Sequence, residues 1–222
     1  MKFHDREHAG RLLGVKLDGN RYQDAVVLGL TRGGMPVALE VARQMRAPLD
    51  ILVVRKIRLP GPAQLAIGAI AEGGATFVNP TVMRETGVAA AEAAVLAEAE
   101  VEELSRRVRL YRGERPAPYL AGRIAIVVDD FVVTGVSARA AGRAVRQRGA
   151  RRVVLAVPVV AAAAEPELRR DFDEVVALET SAKPFAIGDW YQRFEAVGDE
   201  EVLACLRRGY EEDEWREPRA GA

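Results

Sequence analysis

Apolar runs of strand length alternate along this chain with longer stretches of helical period, the pattern of a parallel sheet covered by helices. A first helix is predicted over residues 5–17, with Leu12, Leu13 and Leu17 on one face. Asp24–Leu30 (DAVVLGL) reads as a buried strand, followed by a Gly-containing turn and a helix from Pro36 to Met45. Asp50–Ile57 (DILVVRKI) reads as the next strand. Residues 58–80 hold three Pro and four Gly beside short apolar pieces, which suits a long loop or a β-hairpin rather than a core element. A long Ala/Glu-rich helix is predicted from Val88 to Tyr111, offering Val95, Leu96, Val101, Leu104 and Val108 for burial, until ERPAPY ends it. Arg123–Asp129 (RIAIVVD) is a β-branched strand, followed by a turn and a helix over Ser137–Arg148. Arg152–Val160 is another strand, 165–171 a short helix, and Glu174–Leu178 the last core strand. A terminal helix is expected over Asp199–Tyr210.

Composition narrows the class. A chain of 222 residues suits one domain, or one domain with an appendage, and is long enough to bury a large core without staples. Its 49% apolar and 29% charged residues are globular proportions. The 32 basic and 32 acidic side chains balance, which removes the simplest case for nucleic-acid binding through bulk charge. A single cysteine, Cys205, excludes an internal disulfide framework and a cysteine-clustered metal site. No apolar run approaches the ~20 residues of a membrane helix, and the start MKFHDREHAG lacks the apolar core of a signal peptide. A soluble, cytoplasmic protein without membrane contact is expected. Of the 32 cations only four are lysines (Lys2, Lys16, Lys56 and Lys183), so each lysine is worth locating. His4 and His8, four apart on the first helix, read as surface residues rather than metal ligands.

The stretch Ile126–Ser137, IVVDDFVVTGVS, carries the chemistry. A buried strand ends at Asp129 and Asp130, at the carboxyl edge of the sheet where α/β proteins bind ligands. A short turn then reaches Thr134-Gly135-Val136-Ser137 immediately before a helix. Small and hydroxyl residues at a helix N-terminus can cradle phosphate through backbone N–H groups, and neighbouring carboxylates can accept from sugar hydroxyls. Taken alone, the same residues also suit an ordinary turn in which Thr134 or Ser137 caps the helix.

This stretch resembles the phosphoribosyl diphosphate (PRPP) signature of type I phosphoribosyltransferases: four apolar residues, two acids, then Thr-Gly-x-Thr/Ser. The resemblance implies that Asp129 and Asp130 hold the ribose hydroxyls, with Val133, Thr134, Gly135, Val136 and Ser137 forming the 5′-phosphate loop. Leu30–Pro36, LTRGGMP, resembles the family's pyrophosphate loop, implying Thr31, Arg32, Gly33 and Gly34 as diphosphate contacts. Arg55 and Lys56, ending the next strand, match a basic pair that the family often carries near the diphosphate. Gln64–Gly74 is similar, more narrowly, to a group of predicted phosphoribosyltransferases of unassigned substrate, although Gln64 stands where that group more often has Glu.

The fold so implied is a doubly wound, mainly parallel α/β sheet flanked by helices. Residues 1–180 would form the core, including a flexible lid at 58–80, and residues 181–222 a small C-terminal hood with its helix. The implied reaction moves the 5-phosphoribosyl group from PRPP to a nitrogenous base with release of diphosphate. Asp129, Asp130, Lys56 and Arg32 would be its catalytic residues, and Mg²⁺ would be held by Asp129 or Asp130 directly or through water. The acceptor is expected against KPFAIGDWYQRF, which holds four of the chain's 13 aromatic residues. The family's hood would make Phe185 the stacking residue; Trp190 is a further candidate, although it leans, with Tyr191 and Phe194, towards packing. Relatives are often dimers, which brings a homodimer among the expectations. The alternative is a PRPP- or nucleotide-binding regulator on the same fold without turnover. Arg139, Arg143 and Arg146 share a helix face, and no acid occurs between Asp130 and Glu165. That face reads rather as solvated surface, and no nucleic-acid partner is expected.

Overall fold

A computed structural model describes residues 2–17, 19–61, 65–182 and 186–214. Helix α1 (Arg6–Lys16) is capped by the Asp5 carboxylate, which accepts the His8 N–H. Strand β1 (Ala25–Leu30) leads through a tight turn into α2 (Gly34–Met45), and β2 (Leu49–Leu52) and β3 (Val54–Arg58) follow. The hairpin strands β4 (Ala66–Ala71) and β5 (Thr76–Val78) precede α3 (Pro80–Thr86), α4 (Ala90–Ala99) and α5 (Val101–Arg112). The remainder is β6 (Ile124–Val128), α6 (Val136–Gln147), β7 (Arg152–Ala161), α7 (Glu165–Leu168), β8 (Glu174–Ser181) and α8 (Asp199–Glu214).

Among the described residues the strands form two sheets. The larger is parallel throughout, in the order β2-β1-β6-β7-β8. Strand alternation divides its side chains between two cores. Val27, Ile126 and Val154 pack with Leu13, Leu17, Met35 and Leu206 of α1, α2 and α8. Leu28, Val127 and Leu155 pack on the other face with Ala140, Ala141 and Val145 of α6. Helices on both faces make this the expected doubly wound α/β architecture.

Two elements differ from the sequence-based expectation. The strand read at Asp50–Ile57 is two strands in two sheets, because the chain turns out of the parallel sheet at Val53. There the Glu72 N–H donates to the Val53 carbonyl at 2.9 Å, and the Glu72 carboxylate accepts the Val53 N–H at 3.4 Å. β3 then joins β4 and β5 in a three-stranded antiparallel sheet. The long helix read at Val88–Tyr111 is also broken, at Glu100, whose carboxylate pairs with Arg55. Leu104 is buried as expected, but Val95 and Val101 stand 66% and 41% exposed; α4 buries Ala93 and Ala97 instead, which leaves Val95 on its outer face.

Within residues 58–80, where the sequence offered a long loop or a hairpin, the described residues include the β4–β5 hairpin. From β4 onward the segment is packed: Ile67 and Ile70 join the core beside Ala93 and Ala97 of α4. Phe77 lies beneath the guanidinium groups of Arg139 and Arg143, at 4.0 and 4.9 Å from its centroid.

A buried charge cluster joins the two sheets and two helices. Arg112 bonds Glu72 at 3.1 Å and the Ile51 carbonyl at 3.1 Å, and lies 3.6 Å from Asp50. Arg148 reaches Glu72 at 3.3 Å, and the Tyr210 hydroxyl donates to Asp50 at 3.3 Å. Arg112→Ala removes the cation that Asp50 and Glu72 share, and breaking such a buried pair costs about 3–5 kcal/mol. Urea denaturation at neutral pH should show a loss of that order, whereas Arg170→Ala, on an exposed pair with Glu167, should change stability by less than about 1 kcal/mol.

Candidate functional site

In an open parallel sheet, ligands bind beyond the carboxyl ends of the strands where the strand order reverses, because the two loops leave in opposite directions there. Here β1 and β6 are sheet neighbours whose helices, α2 and α6, cover opposite faces. A cleft of about 490 Å³ opens at this point. Its floor is formed by the β1–α2 turn, with Thr31, Arg32 and Gly33, and by Asp129 and Asp130 at the end of β6. Thr134 to Ser137 close one side, and Lys56 reaches in from β3.

The β1–α2 turn passes directly over the acids. Gly33 has φ −61° and ψ −28°, which any residue can adopt, so space rather than backbone conformation requires glycine here. A Cβ at Gly33 would lie 2.1 Å from Asp130 Oδ2, and one at Gly34 would lie 2.5 Å from the Val128 carbonyl oxygen. The Thr31–Arg32 peptide is cis. Thr31 Oγ1 is buried in the cleft without a hydrogen-bond partner. Arg32 leans out to Asp199 at 3.4 Å, and Asp199 accepts the Tyr111 hydroxyl at 2.6 Å. That hydroxyl is chiefly what holds the Asp199 carboxyl below its ordinary value of 3.8.

The loop beyond β6 is fixed from behind. Val132 donates to Val159 at 2.9 Å and accepts from Ala161 at 2.8 Å, stitching the loop to β7. Gly135, at φ +74°, begins α6 with no side-chain cap. The first-turn amides, which lack partners within the helix, therefore remain available beside the cleft. Asp129 accepts the Asp130 N–H at 3.0 Å. Burial, and then the charge of Asp130, push the Asp129 carboxyl well above its ordinary range, against the pull of Lys56.

Most of the residues expected from sequence therefore meet in one cleft. Gly34 stands behind it, packed on β6. Arg55 does not line it: adjacent strand residues face opposite ways, so Lys56 enters the cleft while Arg55 pairs with Glu100 at 2.7 Å. Trp190 packs with Phe3 and Tyr191 rather than lining the cleft. Phe185 and Gln64 lie outside the described residues.

Sequence reasoning missed Arg6, which bonds Asp130 from the first turn of α1, and Val197, which lines the far wall. Neither carries a local signal. Phe194, expected to pack, lines the cleft as well. Tyr191 is buried, and its hydroxyl donates to the Asp130 carbonyl at 2.8 Å. Among the described residues, no group of three or more His, Cys, Asp or Glu is placed to hold a metal. Two adjacent carboxylates and the orphaned Thr31 hydroxyl suit a hard cation that keeps most of its water and shares a phosphate ligand.

Known proteins resemble this chain in sequence and in fold. The family described as "Phosphoribosyl transferase domain" matches residues 5–192. A Mycobacterium tuberculosis H37Rv protein named as a candidate phosphoribosyl transferase is 44% identical over 208 residues, covering 94% of this chain and 47% of its own length. The chain thus spans about half the length of the curated relatives it matches. The crystal structure of the protein TT1426 from Thermus thermophilus superposes with a TM-score of 0.78 at 42% identity, covering 93% of this chain and 98% of that one.

Gly33→Ala should cost about 1–3 kcal/mol by crowding Asp130; on an Asp130→Ala background the added cost should fall to nearly nothing in a urea double-mutant cycle. Asp199 has a depressed folded-state pKa, so its stabilisation is present above 3.8 and is lost as pH falls through the folded value. Asp199→Asn should therefore lower the denaturation midpoint at pH 7, and the gap from the parent protein should close on acidification.

Proposed function

The chain belongs to the phosphoribosyl transferase domain family, and on that premise we propose that it moves the 5-phosphoribosyl group of PRPP to a nitrogenous base with release of diphosphate. The observation that carries this reading is the composition of one cleft. Two acids, an uncapped helix start and a cationic wall surround a single volume of about 490 Å³ at the strand-order reversal. Each part answers a part of the donor. Asp129 and Asp130 accept from the ribose hydroxyls, and the Thr134–Ser137 turn holds the 5′-phosphate with its amides and hydroxyls. The Thr31–Gly33 turn and Lys56 take the diphosphate. Phe194, Ala196 and Val197 give the cleft an apolar wall against which a flat acceptor can lie.

Displacement at C1 builds positive charge on the ribose and negative charge on the leaving diphosphate. The acids stand on the first side and Lys56 and Arg32 on the second, so fixed charges oppose both developing charges without a protein nucleophile. Asp129, Asp130 and the Thr31 hydroxyl would hold Mg²⁺, which when bound neutralises the diphosphate as it leaves. On this reading residues 1–180 carry the donor site, and 181–222 supply the acceptor wall and α8.

The regulator alternative would need a free basic surface. The arginine face of α6 is instead neutralised: Arg139 pairs with Glu167 and Asp171, Arg143 with Asp171, and Arg146 with Asp173.

Incubation with PRPP, Mg²⁺ and a panel of nucleobases, scored by diphosphate release, should find an acceptor-dependent reaction. Asp130→Asn should slow it by about 100-fold or more, and Thr134→Phe should abolish PRPP binding in calorimetry. Binding of PRPP without release for any base would favour the regulator, and unchanged PRPP binding by Thr134→Phe would remove the phosphate-loop assignment.

A further inference from the structure

Arg6 is 124 residues from Asp130 in the chain, yet its Nε lies 2.8 Å from Asp130 Oδ2, with side chains only 11% and 9% exposed. The same guanidinium makes two further contacts. One N–H donates to the Glu195 carbonyl at 2.7 Å, and the group stacks 3.6 Å above the Phe194 ring. One planar cation thus joins a cleft acid, the backbone of the C-terminal segment and the aromatic wall. Its flat fork suits all three contacts together, which a lysine could not make.

The placement of Arg6 is itself built. The Phe3 N–H donates to the Trp190 carbonyl at 2.7 Å, the Gln192 N–H to Phe3 at 2.9 Å and the Arg193 N–H to His4 at 2.9 Å. These bonds lock the residues before α1 alongside 190–193. Tyr191, held in the same unit, supports the Asp130 carbonyl. Asp130 is therefore gripped twice by a unit made from both ends of the chain: at its backbone by Tyr191 and at its carboxylate by Arg6.

We infer that Arg6 is a positioning residue that fixes the direction of the Asp130 carboxylate and couples it to the Phe194 wall of the cleft. This inference rests on the assignment of Asp130 to the ribose of PRPP. With Oδ2 committed to Arg6, the remaining carboxylate lone pairs are presented to the cleft in one orientation. The diphosphate end, at Arg32 and Lys56, does not touch Arg6.

Calorimetric titration without Mg²⁺, which would otherwise tie Asp130 to the diphosphate, with three probes, PRPP, ribose 5-phosphate and inorganic diphosphate, separates these ends. Arg6→Gln should bind both ribose-bearing probes at least about tenfold more weakly and bind diphosphate as the parent protein does. Arg6→Lys should fall between the two for the ribose probes, and it carries the comparison if the Gln variant does not fold. Unchanged binding of every probe would overturn the inference. So would an equal loss for all three, which marks a general structural role. If the parent protein binds diphosphate but neither ribose-bearing probe, the ribose assignment fails first, whatever the variants do.

Discussion

The whole site depends on how closely one turn rests on one strand end. Beyond β1 the chain crosses the carboxyl end of β6 with Gly33 against the Asp130 carboxylate and Gly34 against the Val128 carbonyl. Cβ atoms at these positions would lie 2.1 and 2.5 Å from those oxygens, so a side chain there has to displace the Asp130 carboxylate or the turn. That contact sets the spacing between a turn suited to one anionic group and acids suited to hydroxyls. It is reinforced one turn back, where Gly29 lets Met35 of α2 fold down onto β1. The glycines are not there for unusual backbone angles, since Gly33 sits in the ordinary right-handed region. They are there because two loops leaving neighbouring strands must share one small space before parting.

A second constraint places Lys56. Its strand belongs to the three-stranded sheet, so the position of Lys56 relative to Asp129 depends on how that sheet joins the parallel one. The joint is the exchange of bonds between Val53 and Glu72, and Glu72 is held in turn by Arg112 and Arg148. Burying such charges does little for stability when compared with a well-packed apolar joint. What the charges add is direction: one Glu72 carboxylate meets the Val53 amide and both arginines at once. The cationic wall of the cleft thus inherits its placement from ion pairs well behind it.

What could be read from sequence follows from how local each signal is. β1, β6 and β7 are buried on both faces, so they appear as unbroken apolar runs. The Ile126–Ser137 stretch was legible as a candidate site because strand, acids and helix start fall within a dozen consecutive residues. The break at Val53 was hidden, since DILVVRKI stays apolar across a point where the chain changes sheets and only the distant Glu72 marks it. The pairing of Arg55 with Glu100 was hidden likewise, although strand alternation already implied that Arg55 and Lys56 could not both face one cleft. Arg6 had no signal: in sequence it is an ordinary charged residue in a first helical turn, and its meaning comes from a partner 124 residues away.

The C-terminal aromatic cluster looks at first like a choice between packing and ligand contact, but the geometry removes the opposition. Tyr191 packs against Phe3 and Phe194, with ring centroids 5.4 and 4.8 Å apart, and still places its hydroxyl on the Asp130 carbonyl. Phe194 carries Arg6 on its ring and also lines the cleft. Packing is the means by which these residues act on the site. A carboxylate at the bottom of a cleft has two rotatable bonds and would otherwise sample several directions. The Arg6 guanidinium, bonded to that carboxylate and seated on the Phe194 ring, restricts that freedom before any ligand arrives. The net charge of the chain is zero, so the charges that matter at this cleft are local ones, Lys56 and Arg32 beside Asp129 and Asp130. Short-range order fixes what these charges present, and at Asp130 that order comes from Arg6 on the Phe194 ring and from the Tyr191 hydroxyl.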